Sequence, residues 1–467
     1  MFIFIQLLLS VAHASPLPIA NRQEVVYVPF YDPTANGHNA AARGWNTFGL
    51  QANGPVAQAA GFTFDDSNFA RQCDNLVVRT SGDYYCSLDS GWSLNGGDKF
   101  GRLEPDPNVF TTFTPVLKGL SDHLHDRGIK LGVYLLPGAL EADQNVIIEG
   151  TDIRLGDVLD FTLPGYHLRR TFKWGEPGVQ EWHDSVVKFL ASLGVDLIKL
   201  DFLTPGSPDA GDDPLPPDTS LSAVNFHDAI IRLAPGMRLD ISWKLDRDEP
   251  YWSRWQESAD ALRTDQDVNN SDTELHAARG VGIHIHPDMD NTFVGNPEHV
   301  SGLSNVQRYS MQIHWIDAGA NLITGSDLTH LDDLGKELLF NDEAMSVADF
   351  TAQWPMQPRG PDAAARQLQA WVAGPDIDEE GATAIVVLAN YGPDLGQGGF
   401  NTNIDGVQRV HASLTTLGLG AATWTVRRVW GGGGTGGEDH EDIGVIGSAL
   451  KADLGPGESV LYRLTRL

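Results

Sequence analysis

Lys199 and Asp201 stand two residues apart in the run DLIKLD (196–201), so on an extended chain both side chains leave the same face. A lysine beside a carboxylate keeps that carboxylate ionised. A second source of carboxylates is ALRTDQD (261–267), where Asp265 and Asp267 follow a short apolar stretch. One ionised and one protonated carboxyl group at a shared site are what cleavage of a glycosidic bond requires, the first as nucleophile and the second as proton donor. Pattern alone leaves other uses open. Asp201 also suits the cap of a following helix, and Asp265 and Asp267 both suit loop solvation. Nothing in the spacing chooses between the last two. His284 and His286, with Asp288 or Asp327 beside them, admit a metal-dependent hydrolase instead. Pro287 marks a strand end there and the rest of a ligand set is not evident, so local structure is the favoured reading of that pair.

Such residues can cooperate only if separate strands deliver them to one rim. Eight apolar strand candidates recur along the chain: RGWNTF (43–48), YYCSLD (84–89), KLGVYLL (130–136), DLIKLD (196–201), RLDISWKL (238–245), ALRTDQ (261–266), GIHIH (282–286) and ANLITG (320–325). Helical stretches lie between them, including 114–128 closed by Gly128 and 179–194 closed by Gly194. This alternation predicts an α/β fold, a (β/α)8 TIM barrel, whose working face is the C-terminal end of the strands. No glycine-rich dinucleotide fingerprint follows the first strand, which disfavours an open doubly wound sheet. The strand ends then offer Asp89 with Ser90, Tyr134, Lys199 with Asp201, Ser242 with Lys244, Asp265 with Asp267, His286 with Asp288, and Asp327. The long irregular segment 204–220 is expected to wall the substrate side. Trp45 and Trp243 read as core residues rather than sugar platforms. Beyond about residue 360 the helices stop, and strand-like runs at 368–374, 383–391, 423–430 and 459–464 predict a small antiparallel β-sandwich domain. The expected division is a signal peptide over 1–14, the barrel over 15–355 and the β-domain over 356–467.

Composition removes other classes. The 467 residues carry 62 acidic against 32 basic side chains, a formal charge of −30. Nucleic acid is not an expected partner, since phosphates must be met by clustered Lys and Arg, and an anionic membrane surface would repel the chain. Two cysteines, Cys73 and Cys86, permit one disulfide; the reading favours two buried thiols. The opening MFIFIQLLLSVAHA has an apolar run ending in Ala12-His13-Ala14, an A-x-A cleavage pattern that predicts secretion. Asn269-Asn270-Ser271 is a glycosylation sequon two residues past Asp267, where a glycan would crowd a site mouth, so full occupancy is not expected.

Taken in order, RGWNTF, SLDSGWS, KLGVYLLPG, DLIKLDF, ALRTDQD, HPDM, NLITGSDL and GESVLYRL resemble glycoside hydrolase family 27, the α-galactosidase and α-N-acetylgalactosaminidase family, over about residues 40–467. The resemblance implies retaining hydrolysis of a terminal α-linked galactoside without metal or organic cofactor. It makes Asp201, in Lys199-Leu200-Asp201, the nucleophile and Asp267, four residues after Arg263, the acid/base. It assigns sugar contacts to Phe48, Asp89, Ser90, Tyr134, Lys199, Ser242, Arg263, Asp288 and Met289. Five positions depart from the family pattern. Phe48 replaces the sugar-stacking tryptophan, Ser90 the second of two adjacent aspartates that grip O4 and O6, Leu203 a cysteine, and Ile241-Ser242 the Cys-Glu before Trp243. A serine at 242 resembles the N-acetylgalactosaminidases. A site built around one hydroxyl can discriminate by roughly 10⁴–10⁵ against a substrate lacking it, so these changes also admit an N-acetylgalactosaminide or a pentopyranoside. A catalytically silent sugar binder on the same scaffold is the alternative from another class.

Overall fold

The computed structural model describes residues 32–79, 83–209, 214–264, 267–268, 285–354, 356–360, 366–393, 404–430 and 440–467. Eight parallel strands form one sheet: β1 (Arg43–Asn46), β2 (Tyr84–Leu88), β3 (Lys130–Leu135), β4 (Val195–Leu200), β5 (Arg238–Ile241), β6 (Ala261–Arg263), β7 (His286–Asp288) and β8 (Leu322–Thr324). The order is β7-β6-β5-β4-β3-β2-β1-β8, so neighbours in sequence are neighbours in space. A bridge between Thr292 and Thr324 and a bond from the Asn321 amide to the Pro287 carbonyl (3.0 Å) close the ring. The strands are short and apolar because both of their faces are covered; every residue of β1, β2, β5 and β6 is buried. Gly44 illustrates the tightness: a Cβ there would lie 1.8 Å from the Tyr85 carbonyl oxygen, and its φ is +139°.

The helices between the strands follow the apolar periodicity. They include α1 (Asp66–Cys73), α2 (Lys118–His125), α3 (Val179–Ser192), α4 (Leu221–Leu233), α5 (Tyr251–Ser258), α6 (Asn305–Asp317), α7 (Asp333–Phe340) and α8 (Asp342–Gln353). Asp65 caps α1 by accepting from the Asn68 amide (2.8 Å), and Glu181 reaches back to the Gly178 amide (2.9 Å) at the start of α3. Gly128 and Gly194 take left-handed φ of +73° and +78° just past α2 and α3, as their placement in sequence predicted. Inside the barrel Arg238 pairs with Asp240 (2.8 Å), and Asn321 bonds both, which ties β5 to the start of β8.

The C-terminal strands are β9 (Gln357–Arg359), β10 (Leu368–Ala373), β11 (Thr383–Asn390), β12 (Gln408–Ser413), β13 (Trp424–Val429), β14 (His440–Ile446), β15 (Ala449–Leu454) and β16 (Glu458–Arg466). Six form an antiparallel sheet, β9-β10-β11-β16-β13-β14, and β12 pairs with β15 in a second. Ile385, Val387 and Leu461 of the larger sheet share one buried cluster with Ile313, Trp315 and Ile316 of α6.

Several expectations need correction. The seventh strand lies at 286–288, later than the 282–286 reading, and residues 282–284 are outside the described residues. Pro287 is tolerated inside it because the ladder uses its carbonyl, not the N–H that proline lacks. The fifth strand stops at Ile241 rather than running to 245. Four C-terminal strands (β9, β12, β14, β15) were not anticipated; β14 is almost wholly exposed, so it carries no apolar alternation to read. Cys73 and Cys86 are joined rather than free: α1 ends beside β2, with the two Cα atoms 6.2 Å apart, within disulfide reach.

Candidate active site

Residues at the C-terminal ends of the strands line a cavity of about 470 Å³. Phe48, Asp89, Ser90, Tyr134, Lys199, Asp201 and Asp267 all border it. β4 delivers Lys199 and, one residue past its end, Asp201. Lys199 Nζ donates to Asp89 Oδ2 at 2.8 Å and lies 5.4 and 5.5 Å from the centroids of the Phe48 and Tyr134 rings. Burial alone would lower the Lys199 pKa, but Asp89 and Asp201 beside it raise it above its ordinary value, so the ammonium stays charged. Asp89 is fixed in turn by its own amide bonding Thr47 Oγ1 (2.8 Å).

Asp201 is 6% exposed. One of its oxygens accepts from the Phe202 amide at 2.9 Å, and the Tyr134 phenol stands beside the same carboxylate. Burial and then the Asp201 charge hold the Tyr134 phenol well above its usual pKa, so it remains a donor. Phe202 has φ of +53°, a costly conformation for a bulky residue, and its ring packs 5.1 Å from that of Trp243. Trp243 borders the cavity and is half-buried, contrary to the core role expected of it, whereas Trp45 is fully buried as expected.

Asp267 follows β6. Arg263 Nη1 donates to its Oδ1 at 2.9 Å, and the same guanidinium meets Asp290 at 3.1 Å and Asp288 at 3.5 Å. Burial pushes the Asp267 carboxyl above the usual carboxylate range, and the charge of Asp201 adds to this while Arg263 and Lys199 oppose it. The arrangement therefore puts two carboxyl groups on one cavity, Asp267 with its pKa raised by burial and Asp201 beside the Lys199 ammonium.

Arg263 and Asp288 do not border the cavity but stand behind Asp267. Met289 packs into the cluster shared with Phe293 and Trp315. Ser242 is buried, its hydroxyl without a hydrogen-bond partner among the described residues, and does not border the cavity either. Asp265, Asn269 and His284 lie outside the described residues. His286 is buried at the base of the barrel, and Asp327 accepts from Gln72, Thr329 and His330 as a local cap. Among the described residues no three His, Cys, Asp or Glu side chains are grouped to hold a metal. Segment 204–220 contributes Leu215, which packs with Leu136 and Tyr166 behind the cavity wall.

Sequence reasoning missed three features. Asp290 accepts from the Val268 amide at 2.6 Å, next to Asp267. His167 and Arg169 border the cavity from a hairpin far from any barrel-strand end. No periodic signal marks any of them.

No family model matches the sequence. The chain is 41% identical over 93% of its length to α-galactosidase 3 of Hypocrea jecorina, covering 72% of that protein. A GH27 β-L-arabinopyranosidase from Geobacillus stearothermophilus superposes with a TM-score of 0.69 at 19% identity, covering 91% of this chain and 96% of that one. The α-galactosidase of Saccharomyces cerevisiae gives 0.64 at 14% identity, covering 93% and 100%.

Proposed function

Because the chain belongs to the α-galactosidase family of glycoside hydrolases, family 27, we propose that it releases terminal α-linked galactose by double displacement. Asp201 attacks the anomeric carbon while Asp267 protonates the departing oxygen. Water activated by Asp267 then frees the sugar from Asp201 with net retention. Lys199 holds Asp89 and places a positive charge beside Asp201, Tyr134 lies beside the nucleophile, and Arg263 positions Asp267. Phe48, Asp89 and Ser90 hold the sugar, with Asp288, Met289 and Ser242 shaping the site from behind. The observation that carries this reading is that Asp201 and Asp267 border one cavity, with Lys199 bordering it beside Asp201 and burial raising the pKa of Asp267.

A second reading of the sugar rests on Ser90, which is exposed on the cavity and has no carboxylate to grip O4 or O6. It favours a pentopyranoside lacking the C6 hydroxyl over galactose, while Ser242, where a glutamate would stand, favours an N-acetylgalactosaminide. A panel of p-nitrophenyl glycosides (α-D-galactoside, α-D-N-acetylgalactosaminide, β-L-arabinopyranoside) separates the readings. Fastest release from the galactoside supports the first. Release from none, with sugar-dependent thermal stabilisation, overturns both and leaves a sugar-binding protein.

Residues 1–14 and the Cys73–Cys86 bond support secretion, since such bonds persist in oxidising compartments. No described helix is long and apolar enough to cross a membrane. The change from alternating strands and helices to strands alone near residue 356 supports the division into a barrel and a β-domain.

A further inference from the structure

The cavity is bordered by one arginine that no carboxylate of the described residues neutralises. Lys199 pairs with Asp89, and Arg263, just behind the cavity, meets three aspartates. Arg170 pairs with Glu141 at 2.8 Å. Arg169, its neighbour, turns the other way and borders the cavity. Among the described residues its side chain makes one hydrogen bond, from Nη1 to the His167 carbonyl at 3.0 Å. Among the described residues the phenols of Tyr134 and Tyr166 act on it most, and burial lowers its pKa.

The backbone that holds it is strained. Tyr166 and Arg169 exchange two backbone bonds (3.0 and 2.8 Å) around His167 at φ +41° and Leu168 at φ +62°. Two left-handed residues in a tight hairpin are accommodated best by Asn and Gly; here they are His and Leu. Such strain persists only where the surroundings enforce it, and it concentrates at ligand sites. The Glu141 amide bonds the Leu168 carbonyl (2.8 Å), and the Tyr166 ring packs 5.2 Å from Phe202, which holds the turn against the cavity.

We propose that Arg169 is a substrate-binding residue that selects α-glycosides carrying a carboxylate. The inference rests on the hydrolase reading above. A neutral sugar leaves the guanidinium without a counterion in a partly desolvated wall, whereas a carboxylate supplies one with paired N–H···O bonds.

The test compares 3-carboxyphenyl with 3-carbamoylphenyl α-D-galactopyranoside, which differ in charge but hardly in shape, and competitive inhibition by D-galacturonate with that by D-galactose. The wild type should favour the carboxylate member of at least one pair by roughly tenfold or more. Arg169→Gln should bring that ratio close to one, and Arg169→Lys should retain part of it. The ratio is the readout, so a general loss of activity in a variant does not mask it. A wild-type ratio near one in both pairs, or a preference that survives in Arg169→Gln, overturns the proposal. If the wild type hydrolyses neither aryl galactoside, the galactoside reading fails instead. Melting-temperature shifts with galacturonate against galactose then still test Arg169.

Discussion

Asp201 and Asp267 are expected to be unequal under substitution. Asp201→Asn removes the oxygen we propose as the attacking atom and should abolish turnover while leaving the melting temperature near that of the wild type. Asp267→Asn should lower kcat/KM by roughly 10²–10⁴, and more for a poor leaving group than for p-nitrophenol. Wild-type rates in either variant refute the assignment. Asp290 offers a subtler check, since it bonds Arg263 and the Val268 amide on either side of Asp267. Asp290→Asn frees the Arg263 charge to act on Asp267 and lowers the pKa of that acid. The alkaline limb of the kcat/KM profile should therefore move to lower pH, with kcat falling roughly tenfold; an unmoved limb argues against the coupling. At this scale, the sequence made strand-end residues legible. Lys199 and Asp201 declare themselves by their spacing in an apolar run. Asp290 does not, because only folding carries the chain after β7 to the amide after β6. Arg169 does not either, since its hairpin has no link to the strand period.

The barrel strands were readable because apolar runs of four to eight residues bounded by polar ends have few other uses. Their ends were less so: β5 and β7 were misplaced where Trp243 and Pro287 sit, since composition does not say which backbone groups join the ladder. The disulfide was also illegible, because pairing depends on where α1 ends relative to β2. It closes a loop with a sequence separation of 13, so reduction should destabilise the folded state by about 3 kcal/mol, measurable as a shift of the urea midpoint with and without reductant. No shift would mean the bond is absent. The α6 interface predicts a second outcome. Ser310 and His314 of α6 bond Gly457 (2.6 Å) and Ser459 (3.0 Å), above a buried cluster drawn from both parts of the chain. A chain ending at residue 355 should therefore misfold or aggregate, and a soluble, cooperatively melting barrel would contradict this.

For the molecule as a whole, pH should act through buried groups more than through the −30 surface. Burial pushes His183 down to about 4 and His286 to about 3. An unfolded histidine takes up a proton near pH 6.5, so these two stabilise the folded state above that pH and lose their contribution as pH falls toward their folded values. Asp240 and Asp290 oppose them. Burial raises each to about 6, so their contribution is present below pH 4 and lost as pH rises through 6. The histidine shifts are the larger, so the melting temperature should fall on acidification from pH 6.5 to 4.5; a rise would show that the carboxyl groups dominate. The ring closure adds a directional consequence. β3 and β4 share a long register, whereas β7 contributes three residues and meets β8 through the Thr292 and Asn321 bonds. Fluctuations that breach the barrel should begin at this seam. Amide deuteration should then reach Thr292 and Ile323 well before Leu200, loosening the Asp267 side of the cavity while the Asp201 side remains shut.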